Sequence, residues 1–236
     1  MMLINPYRFS AAAPTPPPPP NPNLIALHFE QANGSTTFID DGSASSTWTG
    51  GGAFVMVSTT SPLAGAGSLQ GTTHTNLGIR TAAVPGVNML PATADWRLSF
   101  KFKAASYLVP ITGTGFYILS IQGITGGGTP AETQIVIATN YERKVAVFLS
   151  DGITRDLVIL TSMALVGGTA YSFKLERVSN IVTLYLDDTD RGSATYSKSL
   201  NQPTGRQWRV GQPEYDVVDN GPTPPWQFDD FVLTLL

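Results

Sequence analysis

Residues 95–104 read DWRLSFKFKA, and this stretch decides the fold class. The even-numbered positions from Trp96 to Phe102 are apolar, whereas the odd-numbered positions from Arg97 to Lys103 are polar. Side chains alternate between the two faces of a β-strand with a period of two, which the turn of an α-helix cannot reproduce. The stretch therefore predicts a strand with one face in a hydrophobic core and the other in solvent.

Shorter segments with the same alternation lie on both sides of this strand. Gly, Pro, Asn and Asp separate them, and no long run is rich in strong helix formers. The predicted strands include 24–30, 115–122, 133–140, 143–150, 154–160, 169–178, 181–188, 206–212 and 227–236. About a dozen strands without a convincing helix predict an all-β chain, and we expect an antiparallel β-sandwich of the jelly-roll kind.

Two features of the sequence concern strand pairing, and the first predicts that it is antiparallel. Only Ser179 and Asn180 separate two alternating runs, and such a two-residue polar connection predicts a tight hairpin. The closing run keeps one apolar face only if an extra residue is inserted near Asp229 and Asp230, which predicts a β-bulge. We expect this last strand to pair with the first one, and its inward residues would be Phe228, Phe231, Leu233 and Leu235.

The composition argues against several classes of function. Charged residues make up 13% of the 236 residues, against about 25% in an average soluble protein. The net charge of −3 and the scattered basic residues provide no field for nucleic acid. No stretch of about 18 apolar residues predicts a membrane span, and the start of the chain lacks the basic and apolar regions of a secretion signal. The absence of cysteine removes disulfides and thiolate metal sites and fits assembly in a reducing cytoplasm.

Several segments, taken in their order along the chain, resemble the concanavalin A-like (laminin G-like) jelly-roll domains that are frequent in phage virion proteins. These segments are HFEQANGSTTFIDD, GAFVMVSTTSPLAGAGSLQG, DWRLSFKFKA, KLERVSNIVTLYLDD, and WRVGQ with QFDDFVLTLL. The motifs of those domains map here onto Asn33 to Asp40, Gly65 to Leu69, Asp95 to Phe100, Arg177 to Asp187, and Asp229 to Phe231. The resemblance implies one jelly-roll domain over residues 24–236. Those domains usually have Gly after the hairpin Asp, where this chain has Asp188, so we expect a longer turn over DDTDRG.

The first 23 residues have a different character. Residues 14–23 read PTPPPPPNPN, which predicts a polyproline II linker of roughly 30 Å. Residues 1–13 contain INPYRF, which resembles the N-terminal peptides of phage structural proteins and implies an attachment peptide. Large apolar side chains outside a core are costly to leave in water, so a partner surface is expected to cover them. The anchoring residues would be Leu3, Ile4, Asn5, Pro6, Tyr7, Arg8 and Phe9.

The residues needed for known chemistry on this fold are dispersed. Sister enzymes that cleave glucans hold paired carboxylates on one strand, whereas the five glutamates here never lie two residues apart on one predicted strand. A Ser-His-Asp arrangement would need His28 or His74, but no G-x-S-x-G motif is present. His28 alternates away from the apolar face of its strand and is expected to pair with Glu30. We therefore expect no enzymatic activity.

Three aspartates near the second predicted hairpin offer closely spaced oxygen ligands that would suit calcium: Asp187, Asp188 and Asp190. The loop lacks the ligand spacing and the glutamate of an EF-hand, so a solvated turn is the preferred interpretation. The same interpretation applies to Asp40-Asp41 and to Asp229-Asp230. No metal ion or other cofactor is expected.

Four aromatic residues fall in or beside predicted loops, where they would offer a platform for sugar rings: Trp48, Tyr141, Tyr215 and Trp226. Tryptophans near strand ends also pack at the rim of a sandwich, so both interpretations stay open.

Two functions are consistent with these features. The first is a non-enzymatic phage virion structural protein, a capsid decoration or tail-associated protein that is assembled in the bacterial host cytoplasm and displays the jelly roll at the particle surface. The second is a carbohydrate-binding or host-adhesion module, which an exposed aromatic cluster beside Asn or Asp would favour. A glycanase is disfavoured by the glutamates. Expected partners are other virion proteins, further copies of the chain and a host surface glycan, but neither nucleic acid nor a membrane.

Overall fold

The computed structural model describes residues 23–50, 55–72, 78–81, 90–106, 117–123, 129–203, 205–211 and 223–236. These ranges form sixteen strands, and within them no helix is long and apolar enough to cross a membrane. In chain order the strands are β1 (Asn23–Leu27), β2 (Thr37–Phe38), β3 (Trp48–Gly50), β4 (Val55–Ser58), β5 (Ser68–Gly71), β6 (Ile79–Thr81), β7 (Trp96–Ser106), β8 (Tyr117–Gly123), β9 (Thr133–Thr139), β10 (Lys144–Ser150), β11 (Arg155–Ala164), β12 (Ala170–Val178), β13 (Ile181–Leu186), β14 (Thr189–Thr195), β15 (Arg206–Val210) and β16 (Thr223–Leu235).

The strands form two antiparallel sheets of eight strands each. Sheet A has the order β14-β13-β12-β7-β16-β5-β4, and β1 also pairs with β16. Sheet B has the order β11-β10-β9-β8-β15-β6-β3-β2. Apolar residues from both sheets belong to one buried cluster between them. The predicted antiparallel β-sandwich is therefore confirmed.

Strand β7 contains most of the stretch DWRLSFKFKA and lies between β12 and β16 of sheet A. Its even-numbered residues from Trp96 to Phe102 are at most 2% exposed. Phe100 stacks between Phe173 of β12 and Phe228 of β16, with ring-centroid distances of 4.7 and 5.1 Å. Such aromatic pairs add about 0.5–1.5 kcal/mol beyond the burial of their area. The buried even-numbered residues thus set the orientation of this strand, and its odd-numbered residues lie on the outer face of the sheet.

The closing strand β16 occupies a central place in sheet A. It pairs with β7 along one side, and with β5 and then β1 along the other side. The register shifts between Asp229 and Val232, and Asp230 has a φ of 49°, so the predicted bulge is present. The pairing of β1 with β16 confirms that the first and last strands are neighbours. A side-chain hydrogen bond of 3.0 Å from Thr234 Oγ1 to Asn23 Oδ1 adds to this pairing.

The two hairpin turns after β12 and β13 have the same length. Ser179 and Asn180 have φ values of 50° and 68°, as a two-residue hairpin turn with left-handed central residues requires. Asp187 and Asp188 have φ values of 50° and 59°, and Leu186 pairs directly with Thr189. The expectation of a longer turn over DDTDRG was therefore wrong. Aspartate tolerates the left-handed region better than most residues, so the turn stays tight without the glycine.

Candidate functional site

Three polar side chains form a row across the outer face of sheet A. Gln227 of β16 lies opposite Gln70 of β5 on one side and opposite Lys103 of β7 on the other. Directly opposed residues of antiparallel strands have their Cβ atoms about 4.5–5.5 Å apart. Two carboxamides and one ammonium group are therefore neighbours on this face.

Nearby loop and strand residues turn this row into a groove with a volume of about 420 Å³. That volume lies within the range of about 300–1,000 Å³ that is typical of small-molecule sites. Two hydroxyl side chains join the amides, and one alanine and one proline add apolar surface. We call it the amide groove, and it is lined by Thr60, Ser61, Gln70, Lys103, Ala105, Gly168, Pro225 and Gln227.

The floor of the amide groove rests on Trp226, which is 1% exposed and lies between two lining residues of β16. Its ring packs closely on two glycines, because a Cβ atom added at Gly71 would lie 2.0 Å from the ring and one at Gly211 would lie 2.7 Å from it. On the same strand Gln227 points to the opposite face, as strand geometry requires. The row of polar side chains is thus built on a packed core.

Thr60 and Ser61 contribute one wall of the amide groove, and a buried carboxylate holds the loop 59–67 to which they belong. Asp229 Oδ2 accepts hydrogen bonds from Ala64 N at 2.9 Å and from Ser68 Oγ at 2.7 Å. Burial of this carboxyl group raises the pKa of Asp229 to about 6. Gln227 Nε2 also donates to the carbonyl oxygen of Ser61 at 3.1 Å. These bonds fix the wall relative to the floor.

A charged cluster lies beside the bulge of β16. Asp230 accepts from Lys101 Nζ at 2.9 Å and contacts His28 Nδ1 at 3.1 Å. The expectation that His28 pairs with Glu30 was wrong, because Glu30 Oε2 accepts from Ala66 N at 2.9 Å instead. Asp230 lies next to Phe231, which pairs with Leu27 at the end of β1, so it is adjacent to His28 across the two strands.

A second groove of about 360 Å³ lies at the side of the sandwich, where β11 of sheet B approaches β14 of sheet A. We call it the edge groove, and it is lined by Asp156, Leu157, Val158, Ala194, Thr195, Tyr196, Ser197 and Lys198. Burial raises the pKa of Tyr196 to about 12, so this phenol stays neutral.

The lysine of the edge groove is held by acidic and hydroxyl groups. Lys198 Nζ lies 2.6 Å from Asp156 Oδ2, 3.2 Å from Asp151 Oδ2 and 2.7 Å from Thr154 Oγ1. Hydrogen bonds from the backbone of Thr154 and then of Ile153 hold the pKa of the Asp151 carboxyl well below its usual range. Two carboxylates therefore lie close enough to offset the charge of this lysine.

The predicted aromatic platform is not assembled from the described residues. Trp48 and Trp226 are 3% and 1% exposed and belong to the core cluster, so packing is the correct interpretation for both. Trp226 lies within β16 rather than in a loop, and Trp48 packs edge-on against Phe231 with centroids 5.8 Å apart. Tyr141 is 72% exposed in the turn between β9 and β10. Tyr215 and the attachment residues 3–9 lie outside the described ranges.

The aspartates considered for calcium each take part in a local contact. Asp187 Oδ1 accepts from Ser172 N at 2.8 Å, and Asp190 Oδ1 accepts from Gly192 N at 2.8 Å. Asp188 is directed towards solvent and towards Lys174 Nζ at 3.8 Å. Over the described part of the chain, no group of three or more His, Asp or Glu residues is arranged to hold a metal ion.

The described glutamates belong to separate elements. Glu176 of β12 pairs with Arg97 of β7, and Glu142 pairs with Lys144 at 2.6 Å in the turn before β10. Glu132 precedes β9, and Glu214 and His74 lie outside the described ranges. The described glutamates therefore include no two on one strand.

The residues of the amide groove were not identified as a site from the sequence. Lys103 was recognised only as a member of the polar face of β7, and Gln70 and Gln227 were not singled out. They come together because β16 pairs with both β5 and β7, a pairing over more than 100 positions of sequence. The polar positions of the alternating strands were the available signal, but the strand order was needed to join them.

No protein-family model and no curated protein sequence matches this chain. Solved structures do match its fold. Domain 4 of AbnA, a GH43 extracellular arabinanase from Geobacillus stearothermophilus that was solved in complex with arabinotriose, is 12% identical and has a TM-score of 0.57. The match covers 90% of this chain and 94% of that domain.

Two botulinum neurotoxin structures are similar in the same way. The serotype D binding domain is 10% identical with a TM-score of 0.60, and the match covers 90% of this chain and 47% of that one. A structure of type C, whose cell entry depends on interaction with two ganglioside molecules, is 9% identical with a TM-score of 0.62, over 90% and 48% of the two chains. This chain thus spans about half the length of the toxin structures. At these identities the likeness establishes a shared β-sandwich fold.

Proposed function

We propose that this protein is a non-enzymatic glycan-binding module that a phage virion displays at its surface. The amide groove is the binding site in this proposal, and the N-terminal peptide is the attachment point.

The observation that carries the binding role is the lining of the amide groove. Sugar hydroxyls both donate and accept hydrogen bonds, so they match carboxamides, which offer donors and acceptors on one group. Gln70 offers such a group, and Gln227 offers its oxygen and the second N–H of Nε2, since the first is donated to Ser61. Ala105 and Pro225 add apolar surface beside these amides, which suits the C–H faces of a sugar ring. Small-molecule sites combine apolar lining with a few polar groups in this way.

The solved structures support the same role. The arabinanase domain, which matches over nearly its whole length, was solved in complex with arabinotriose, and the cell entry of botulinum neurotoxin type C depends on interaction with two ganglioside molecules. Fold likeness alone does not place a ligand, so the groove itself has to be tested.

The absence of enzymatic activity is part of the proposal. Retaining glycosidases need two carboxyl groups about 5–5.5 Å apart around one bond. In the described chain Glu176 and Glu142 are each paired with a basic residue on different elements, and the amide groove contains no acidic lining residue. Such a lining binds without cleaving.

The binding role is tested with a glycan array, followed by calorimetry on the glycans that bind. Gln70→Ala and the double variant Gln70→Ala/Gln227→Ala should weaken binding, whereas Thr195→Ala in the edge groove should not. Circular dichroism and thermal unfolding check that each variant is folded. Equal binding by the double variant and by Thr195→Ala would exclude the amide groove as the site.

The virion role rests on the resemblance of INPYRF and on the position of the linker, which leads directly into β1 at Asn23. A chain that lacks residues 1–13 should fold and remain soluble, since all predicted strands lie after this segment, but it should no longer join the particle. Assembly in host cells followed by particle purification measures this. Normal incorporation of the shortened chain would contradict the attachment role.

A further inference from the structure

The lysines of this protein differ in whether an acidic side chain lies beside them. The chain has five lysines, and all of them lie in described ranges. Four have an acidic partner within 4.0 Å: Lys101, Lys144, Lys174 and Lys198. Of the described residues, no acidic side chain forms an ion pair with Lys103. Lys103 is also the lysine that lines the amide groove.

Two described acidic residues of β16, close to this row along the strand, are engaged elsewhere. Asp229 lies two positions along β16 from Gln227, but its carboxylate is 0% exposed and accepts from Ala64 N, Ser68 Oγ and Asp230 N. Asp230 is bound by Lys101 and His28. Among the residues that the structure describes, no carboxylate therefore competes with a ligand for the ammonium group of Lys103.

We propose that the amide groove selects glycans that carry an anionic group, a carboxylate or a sulfate ester, and that Lys103 is the residue that determines this specificity. The proposal rests on the glycan-binding function and names the class of ligand. Lys103 binds the anionic group, and the neighbouring Gln227 and Gln70 bind the ring hydroxyls.

The chemistry follows from the composition of the groove. A hydrogen bond between an ammonium donor and an anionic acceptor is roughly twice as strong as one between neutral groups. The amide groove contains one cation and no anion among its lining residues, so an anionic sugar restores neutrality there. A neutral sugar leaves the ammonium to be solvated by water.

The experiment measures affinity for matched pairs of oligosaccharides by calorimetry. The probes are a hexuronate oligomer and its carboxyl-reduced form, a sialylated oligosaccharide and its desialylated form, and a sulfated oligomer and its desulfated form. The expected result is that at least one acidic probe binds about tenfold or more tightly than its neutral form, since one charge-assisted hydrogen bond is of that order. The difference should shrink at high salt.

Three variants assign the effect to one residue. Lys103→Gln should lose about tenfold in affinity for the acidic probe and little for the neutral form, and Lys103→Arg should retain the preference. Lys198→Gln, which removes the lysine of the edge groove, is the matched control and should behave like the unaltered protein. Thermal unfolding shows whether each variant is folded.

The outcomes separate the two proposals. Equal affinity for acidic and neutral forms overturns the selection for anionic glycans but leaves glycan binding standing. If Lys103→Gln still prefers the acidic probe to its neutral form, the proposed role of Lys103 is overturned. Failure of every probe and of a wider neutral array to bind overturns the glycan-binding function, and the inference falls with it. If carboxyl reduction lowers the affinity but desulfation does not, the carboxylate is the recognised group. If desulfation lowers the affinity but carboxyl reduction does not, the sulfate is the recognised group.

Discussion

The amide groove and the edge groove each contain one lysine, but the two lysines have different neighbours. In the edge groove Lys198 Nζ lies within 3.2 Å of two carboxylates. In the amide groove Lys103 stands beside carboxamides on the central strands of sheet A. The edge groove lies between strands at the edges of their sheets. The difference teaches that the type of a surface residue does not define its function, because the surrounding strands decide whether its charge is available.

The largest effect should come from the floor of the amide groove. Trp226→Ala removes a buried ring that packs on Gly71 and Gly211 and should lower the free energy of unfolding by about 3–5 kcal/mol. Tyr141→Ala, at an exposed turn, should change it by no more than about 0.5 kcal/mol. Urea unfolding measures both. A small loss for Trp226→Ala would show that the amide groove does not depend on a packed floor.

The two grooves should also respond to pH with opposite sign. Asp229 has its pKa raised from 3.8 to about 6 by burial, so the folded state binds the proton more tightly than the unfolded state. The free energy of unfolding from this group is highest below pH 4, falls by about 3 kcal/mol as the pH rises to 6, and is level above that. Asp151 has its pKa lowered, so its contribution is present above its ordinary pKa and is lost as the pH falls.

Urea unfolding at a series of pH values tests this difference. Asp229→Asn should flatten the slope between about pH 4 and 6, whereas Asp151→Asn should flatten the slope on the acid side of about pH 4. If Asp229→Asn keeps the slope of the unaltered protein between those values, the carboxyl group of Asp229 does not titrate as burial requires.

The smallest effect should come from a substitution that gives the lysine of the amide groove an acidic partner, as the lysine of the edge groove already has. Ala105 is exposed and lies two positions from Lys103 on the same face of β7. Ala105→Glu should give Lys103 an acidic partner, as Lys198 has, and should weaken binding of the acidic probe by several-fold, up to about tenfold. Ala105→Gln has the same size without the charge and should have less effect. Equal affinities of the two variants for the acidic probe would show that the charge of Lys103 does not contribute to binding.

The strands were largely predictable because alternation is a local signal. DWRLSFKFKA became β7, the Ser179-Asn180 connection became a hairpin, and the bulge at Asp230 appeared where the apolar pattern required it. Each of these depends on residues within a few positions of each other. The two-residue turn at Asp187 and Asp188 was not predicted, because glycine is the usual left-handed residue and aspartate adopts that conformation less often.

The candidate site was less predictable because its residues meet only through strand order. Gln70, Lys103 and Gln227 come from three strands of sheet A, and nothing in their local sequence distinguishes them from other polar outward residues. Trp226 was predicted as part of a sugar platform because aromatic residues near loops are frequent in sugar sites. In the structure its neighbours on β16 line the groove, and its buried ring lies beneath them.

Strand β16 is the last of the sixteen strands to be translated, although it lies in the middle of sheet A. Asn23 and Thr234, which its pairing joins, are 211 positions apart. At about 5–20 residues per second, a ribosome completes the partner of β1 roughly 10–40 s after β1 itself. During that interval β1, β5 and one side of β7 lack the neighbour that they will have, and unpaired strand edges can pair with other chains. Nascent chains on the same messenger RNA are therefore exposed to one another before any of them can close its own sheet.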